Sequence, residues 1–364
     1  MTARGSTPPV AAAALLMLVT SCTGASSDRS DGRPAPSAIS RPVIDRAEAK
    51  EVFAAYDRTN ARADTAMDDA AQGQVQTGVL LKESLAAYQV HRKAGTKDEV
   101  AHLVRPKFLI PSEKADAGFP RFFAVLSKWK GQEKDRSSQL FYFAQTQPGG
   151  PWKATASIWA LTEPLKKPSA TDPAPGPTST EKGRTIVRMK PKQLPALRRN
   201  PDDTVQLSPT GSAERSVCGA FADYLTFDPP QGKLADRRFA RGPMTSDLVK
   251  FFNGWADPEL ERSLSYRPAG TALPVLRLDS GSSLVACTLQ QTHRVAGVGA
   301  SGTVVFEKDS DTQIMLGGGP EWREATSISS MTVLLEVPAK AGAAATVLSC
   351  DCYDPTLLSA TGVR

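Results

Sequence analysis

The chain has 364 residues, of which 40% are hydrophobic, 23% charged and 7% aromatic, with a formal net charge of +6. That balance excludes a polytopic membrane protein, a collagen and a wholly unfolded chain, and the length exceeds what one hydrophobic core usually organises. Three histidines and five cysteines leave little material for a multi-ligand metal centre.

Arg4 supplies a short positive segment, and the run Val10 to Val19 (VAAAALLMLV) is apolar. As a helix this run spans about 15 Å, half of a hydrocarbon core of about 30 Å. It has the size of a secretory hydrophobic segment, and no later stretch is apolar enough to cross a bilayer. The residues Val19-Thr20-Ser21-Cys22 follow, and they resemble the lipobox of bacterial lipoproteins. The resemblance implies a signal peptide at 1–21, cleavage between Ser21 and Cys22, and a thioether-linked diacylglycerol on Cys22. An ordinary signal peptide fits less well, because the bulky Leu18-Val19 pair stands where its cleavage site prefers small residues. Two acyl chains hold a protein at a membrane stably, where one holds marginally. Residues 22–44, rich in Ser, Asp, Gly and Pro, are expected to be a disordered tether with a reach on the order of 25 Å. The expected location is the outer face of the cell membrane, exported and lipid-anchored.

Beyond Ile44 the pattern turns helical. Asp45 and Glu48 form a capping box, and Val52, Phe53, Tyr56, Ala63 and Met67 recur at helical spacing. After a Gly-containing break, Val79 to Val90 reads as a second helix. The runs Phe122 to Trp129, Leu140 to Thr146 and Trp152 to Leu161 are aromatic-rich strands, with Gln147-Pro148-Gly149-Gly150 as the turn of a hairpin. Trp152, Ala154, Ala156 and Ile158 alternate with Lys153, Thr155 and Ser157, predicting a sheet with one wetter face. Pro164 to Pro177 is a stiff polar linker. The second half repeats the order, with helices at Ala213 to Phe227 and Thr245 to Trp255. Strands follow at Leu284 to Val295, Thr303 to Lys308, Met331 to Val337 and Thr346 to Cys352. Helices before meandering strands predict an α+β class. The predicted organisation is a domain at 45–163, a linker at 164–184 and a disulfide-bearing domain at 185–364.

Setting Cys22 aside leaves Cys218, Cys287, Cys350 and Cys352, all in the second half. An exported protein meets oxidising conditions, so two disulfides are expected. A Cys350–Cys352 bridge is disfavoured because the two share a face in a strand. Each is expected to pair with Cys218 or Cys287, in either combination. A soft-metal site of Cys350-Asp351-Cys352 with Cys287 and His293 is the rival reading.

The element order and the Gly149–Thr155 segment (GGPWKAT) resemble the NTF2-like (SnoaL-like) α+β fold. The whole chain resembles uncharacterised secreted lipoproteins of Streptomyces-like actinobacteria that carry a domain of unknown function after the lipobox. The resemblance implies two small domains, each with helices packed on a curved antiparallel sheet, NTF2-like or cystatin-like, and no particular activity. Such cones often enclose a pocket, which here Tyr56, Tyr88 and Tyr142 would line, with Asp57 or Asp64 as the nearest carboxylate. The simpler alternative is that these aromatics fill a core.

Catalytic motifs lack their contexts. Gly297-Val298-Gly299-Ala300-Ser301-Gly302 matches a dinucleotide fingerprint in letters, but a strand follows it instead of a helix. Ser179-Thr180-Glu181-Lys182 lies in the linker without the partner elements of penicillin-recognising enzymes. His91 and His102 border a charged loop, and His293 reads as a sheet-face residue. Lys182, Arg184, Arg188, Lys190, Lys192, Arg198 and Arg199 form a basic segment suited to an anionic surface. The expected function is therefore a membrane-anchored binding or scaffolding module for an envelope protein or anionic polymer. It needs no cofactor, metal or nucleic acid. The alternative is an enzyme acting on a small apolar molecule in the cone pocket.

Overall fold

The computed structural model describes residues 40–97, 100–114, 118–163, 179–181, 184–186, 192–299 and 302–364. The signal segment, Cys22, and the basic residues Lys182, Arg188 and Lys190 lie outside these residues, as does the side chain of Arg184. The folded unit includes the end of the expected tether. Ser40–Pro42 forms a strand, β1, and Val43 and Ile44 are buried, because this apolar pair docks where the Val43 N–H donates to the Pro111 carbonyl at 3.1 Å.

Helix α1 (Arg46–Ala66) starts at its predicted cap, with Asp45 accepting from the Glu48 N–H at 2.7 Å. It stops at Met67, whose φ of 50° is left-handed. Asp68 then accepts from the N–H groups of Ala70 and Ala71, both at 3.0 Å, and starts α2 (Asp69–Val75). The expected break between two helices is thus a third short helix, nucleated by its own cap. Helix α3 (Gly78–Ala94) begins with a glycine at φ +63°, where a Cβ would come within 2.6 Å of Thr155 Oγ1. That close approach lets the helix sit directly on the sheet.

The strands β2 (Leu103–Leu109), β4 (Arg121–Trp129), β5 (Ser137–Gln145) and β6 (Lys153–Leu161) form an antiparallel sheet in the order β2-β4-β5-β6, while β3 (Ser112–Lys114) pairs with β1. Both faces of this sheet are covered. Phe123, Val125, Phe141 and Phe143 pack on α1 and α3 with Phe53, Tyr56 and Leu80. Phe122, Ala124, Leu126, Leu140, Tyr142, Ala156 and Ile158 face the other way, into an apolar layer shared with the second half of the chain. The expected wetter face of β6 is present only in part: Lys153 and Ser157 are half-buried, but Thr155 is 3% exposed. A strand buried on both sides reads as a continuous apolar run, as Phe122 to Leu126 does.

After a small hairpin of β7 (Ser179–Glu181) and β8 (Arg184–Ile186) come α4 (Gly211–Glu214), α5 (Ser216–Leu225) and α6 (Ser246–Asn253). The remaining elements are β9 (Leu260–Pro268), β10 (Leu276–Arg277), β11 (Ser283–Gly297), β12 (Val304–Val305), α7 (Asp311–Leu316), β13 (Glu321–Trp322), β14 (Glu324–Val337), β15 (Thr346–Cys350) and β16 (Thr356–Val363). The long antiparallel pair β11–β14 is the centre of a second sheet, with β9 and β10 beside β11 and β15 and β16 beside β14. Leu284, Ala286, Leu334 and Leu348 point toward the first sheet. Val285, Leu289, Met331, Val333 and Leu335 point away from it, under Phe221, Leu225, Leu248 and Phe252 of α5 and α6. The order of layers is therefore helices, sheet, sheet, helices, with the two halves burying one common apolar layer within a unit that runs from Ser40 to Arg364. The class is mixed α+β with antiparallel sheets, and among the described residues no sheet closes into a barrel.

Candidate functional site

The three tyrosines expected to line a pocket do not meet. Tyr56 and Tyr88 lie in the helix layer of the first half, whereas Tyr142 projects from the opposite face of β5 into the layer between the sheets. The parity of the strand places them apart: Phe141 and Phe143 take the helix side, so Tyr142 cannot. The space beside Tyr56 and Tyr88 is filled. Tyr88 donates to Asp64 Oδ1 at 2.6 Å and Asn60 Nδ2 to Asp64 Oδ2 at 2.6 Å. Asn60 Oδ1 accepts from Gln72 at 2.8 Å and from Gln76 at 3.0 Å, and Ser84 donates to Gln76 at 2.8 Å. Burial is the main cause that raises the Tyr56 and Tyr88 hydroxyls far above the ordinary tyrosine range, with Asp64 adding to both, so both stay protonated; Tyr88 donates to Asp64, and Tyr56 accepts from Gln76 Nε2 at 3.4 Å. Asp57 is occupied elsewhere, accepting from the Leu103 N–H at 2.8 Å and facing His102 Nδ1 at 3.1 Å.

The cysteines also depart from expectation. Cys218 is bonded to Cys287, with Cα atoms 5.6 Å apart, and Cys350 to Cys352, with Cα atoms 5.1 Å apart. Residues two apart in an extended strand are separated by about 6.6 Å, but β15 ends at Cys350 and the chain turns. The Thr332 N–H donates to Asp351 Oδ1 at 2.6 Å, and the Thr332 hydroxyl to Oδ2 at 3.1 Å. Held this way, Asp351 brings Cys352 back toward Cys350. The rival soft-metal arrangement thereby loses its thiolates to the two bridges.

The other predicted residues stand apart from one another. His91 Nδ1 is 2.8 Å from the Thr96 hydroxyl. His293 lies on β11 with its ring 5.2 Å from that of Trp255, and burial, with Arg262 nearby, pushes its pKa down to about 4. Arg199 pairs with Asp203 at 2.9 Å, and Arg198 and Lys192 are exposed. Gly297 and Gly302 approach so closely that neither tolerates a Cβ, and strand β12 follows them, with no helix start at this point.

An open cleft of about 590 Å³ lies in the second half, between the end of α5, the segment 226–238 and the edge strand β9. Asp223, Thr226, Asp228, Gln231, Lys233 and Arg238 give it polar walls, with Tyr224 and Phe227 at its base. The cleft exists because β9 is paired on one side only, except where Phe227 and Leu264 exchange backbone hydrogen bonds at 3.0 Å in both directions. Arg238 is fixed by Asp236, to which its Nε and Nη2 donate at 3.0 and 2.7 Å, and this pairing holds the Asp236 carboxyl below its usual range. The Tyr224 hydroxyl is pushed up to about 12 by burial and by Asp236. Sequence reasoning missed this cleft, although Asp228-Pro229-Pro230-Gln231-Gly232 is a turn signal of the kind that marks exposed functional loops.

A second unpredicted cluster joins the halves. Glu83 of α3 faces Ser330 of β14, and its carboxyl is raised to about 7 by burial. Asp351 is raised to about 8 by burial, with the Glu83 carboxyl adding to the shift. The Glu83 carboxyl thus disfavours a charge on the buried Asp351 carboxyl, because two like charges close together in a dry place repel.

Residues 40–171 match the model of a family described as a domain of unknown function, DUF8094. The match takes in the first sheet and its helices, and the open cleft lies beyond it. No curated protein and no solved structure matches the chain.

Proposed function

We propose that the protein is an exported lipoprotein, tethered through acyl chains on Cys22 to the outer face of the cell membrane, and that its folded unit is a binding module of the cell envelope. The observation that carries this reading is the sequence Val19-Thr20-Ser21-Cys22 at the end of a short apolar run, followed by a segment rich in Ser, Asp, Gly and Pro. The pairing of all four remaining cysteines agrees with an oxidising compartment. Among the described residues, no helix is long and apolar enough to cross a membrane.

Binding is favoured over catalysis by where the space lies. The interior beside Tyr56 and Tyr88 is occupied by Phe53, Phe108, Phe141 and Phe143, whereas the open cleft is polar and lies on the outer edge of the second sheet. The likeness of each half to NTF2-like or cystatin-like folds belongs to the same proposal and rests on the order of helices and antiparallel strands. The basic segment from Lys182 to Arg199 adds an attraction to anionic headgroups or polymers, on the order of 1 kcal/mol per residue close to the surface.

Cell fractionation with mass spectrometry tests the anchor. In cells, Cys22→Ala should move the protein from the membrane to the soluble fraction and remove the mass of the acyl groups. An unchanged membrane fraction and an unchanged mass would defeat it.

A further inference from the structure

On the far side of Arg238 from the polar cleft lies a groove of about 520 Å³, lined by Val217, Arg237, Val337, Gly342, Ala343 and Ala345 as well as Arg238. Its walls are fastened. Val217 lies in the first turn of α5, and its neighbour Cys218 is bonded to Cys287 of β11. The opposite wall is tied by backbone, with the Ala240 N–H donating to the Ala345 carbonyl and the Ala345 N–H to the Arg238 carbonyl, both at 2.8 Å. Phe239 is buried between them, its ring 5.2 Å from Phe221 and 5.6 Å from Tyr224, so Arg237 and Arg238 are held at the rim by a residue that cannot move.

The lining is valine, alanine and glycine apart from two arginines, and no acid lines it. Arg238 is committed to Asp236, but exposed Arg237 makes no ion pair with any described residue. A concave apolar surface of this size with an exposed cation at one end complements a molecule that is apolar along its length and anionic at its tip. We propose that this groove binds a single-chain anionic amphiphile, its apolar stem on Val217, Val337 and Ala345 and its acid group at Arg237. The proposal deepens the binding-module reading by naming a ligand class, and it rests on that reading's placement of function in the second half. It does not depend on the anchor at Cys22.

The test uses the full chain carrying Cys22→Ala, so that attached acyl groups cannot compete and loss of anchoring leaves the measurement intact. Binding of dodecanoate below its micelle concentration is followed by displacement of a fluorescent fatty acid. Saturable binding of one dodecanoate per chain is expected. Dodecyltrimethylammonium, with the same stem and the opposite charge, should bind at least about tenfold more weakly, the value of a charge-assisted contact. Arg237→Glu should reverse the order, weakening dodecanoate at least about tenfold and strengthening the cation. Ala343→Glu, on the opposite rim, should weaken dodecanoate without altering the thermal transition of the protein. Equal affinity for the two amphiphiles, non-saturating adsorption, or an Arg237→Glu variant that binds dodecanoate normally would each overturn the proposal, as would binding only to anionic vesicles and not to the free amphiphile. Cell fractionation reads the anchor separately, so either idea can fail alone.

Discussion

Over the first sheet, α1 and α3 have 21 and 17 residues and cover the strands from end to end. Their polar side chains turn inward and bond to one another around Asp64. Over the second sheet, α5 and α6 have only 10 and 8 residues. The segment between them covers the rest of the surface as an irregular chain, and it leaves the polar cleft and the apolar groove on either side of Arg238. Helix length thus decides whether polar groups are consumed by the fold or presented to solvent. The half with short helices is also the half with disulfides, which supply by covalent closure the order that long helices supply by packing.

The comparison can be broken most directly at the long-range bridge. Cys218 and Cys287 are 69 residues apart, and a loop of that size contributes about 4 kcal/mol through the unfolded state. Replacing both by alanine should lower stability by about that amount in a urea titration. Hydrogen exchange should rise at α5 while α1 and α3 stay protected. Equal loosening of both helix layers would show that the bridge is not what orders the second one.

In the first half, Asp64→Ala removes the acceptor for Tyr88 and Asn60 and should cost about 2–3 kcal/mol, because two inward-facing donors lose their partner. A cost below about 0.5 kcal/mol would mean that water reaches this network and that it is not a closed structural feature.

The junction between the halves should respond to pH. Glu83 and Asp351 both titrate higher in the folded chain than in the unfolded one, so the folded chain binds more protons between about pH 4 and pH 8. Stability is therefore greatest on the acid side and falls as pH rises through that window. Glu83→Gln should raise stability at pH 8 by about 2 kcal/mol, allowing for partial solvent screening, and leave it nearly unchanged at pH 4. Urea midpoints at the two pH values measure this, and an equal shift at both would remove the ionisation from the explanation.

The smallest effect sharpens the contrast. Asp228→Ala and Lys233→Ala alter exposed walls of the cleft and should each change stability by less than about 0.5 kcal/mol. If either destabilises as much as Asp64→Ala, the cleft is a structural polar network like its counterpart and not a surface free for a ligand.

How far the sequence carried this picture varies with how local the cause is. The cap at Asp45 and the strands β4, β5 and β6 with their Gln147–Gly150 turn were legible because each depends on neighbours in the chain. The strands β9 and β16 and the first part of β14 were not. Their residues, such as Glu261 to Ser265 and Glu324 to Ser330, mix charges with serine and carry little apolar alternation, and they extend only because β11 and β14 offer backbone partners in register. At the candidate sites, Tyr56, Tyr88 and Asp64 could be foreseen as neighbours in a helix layer, but the face taken by Tyr142 could not. In a strand apolar on both sides, which side meets the helices depends on what covers the sheet. Arg237 and Arg238 went unnoticed beside the longer basic segment, as did the approach of Glu83 to Asp351, which no spacing in the chain foretells.

By itself the sequence determined the α+β class, the start of α1 and the aromatic hairpin, and it supplied the short apolar run before Cys22 on which the proposed anchor rests. These are set by side-chain chemistry acting over a few residues. The tertiary structure decided that two sheets share one apolar layer, that the bridges are Cys218–Cys287 and Cys350–Cys352, and that a polar cleft and an apolar groove lie over the second sheet. Those outcomes depend on which distant surfaces meet, because burial of apolar area and the pairing of backbone edges are properties of the assembled layers and not of any segment alone.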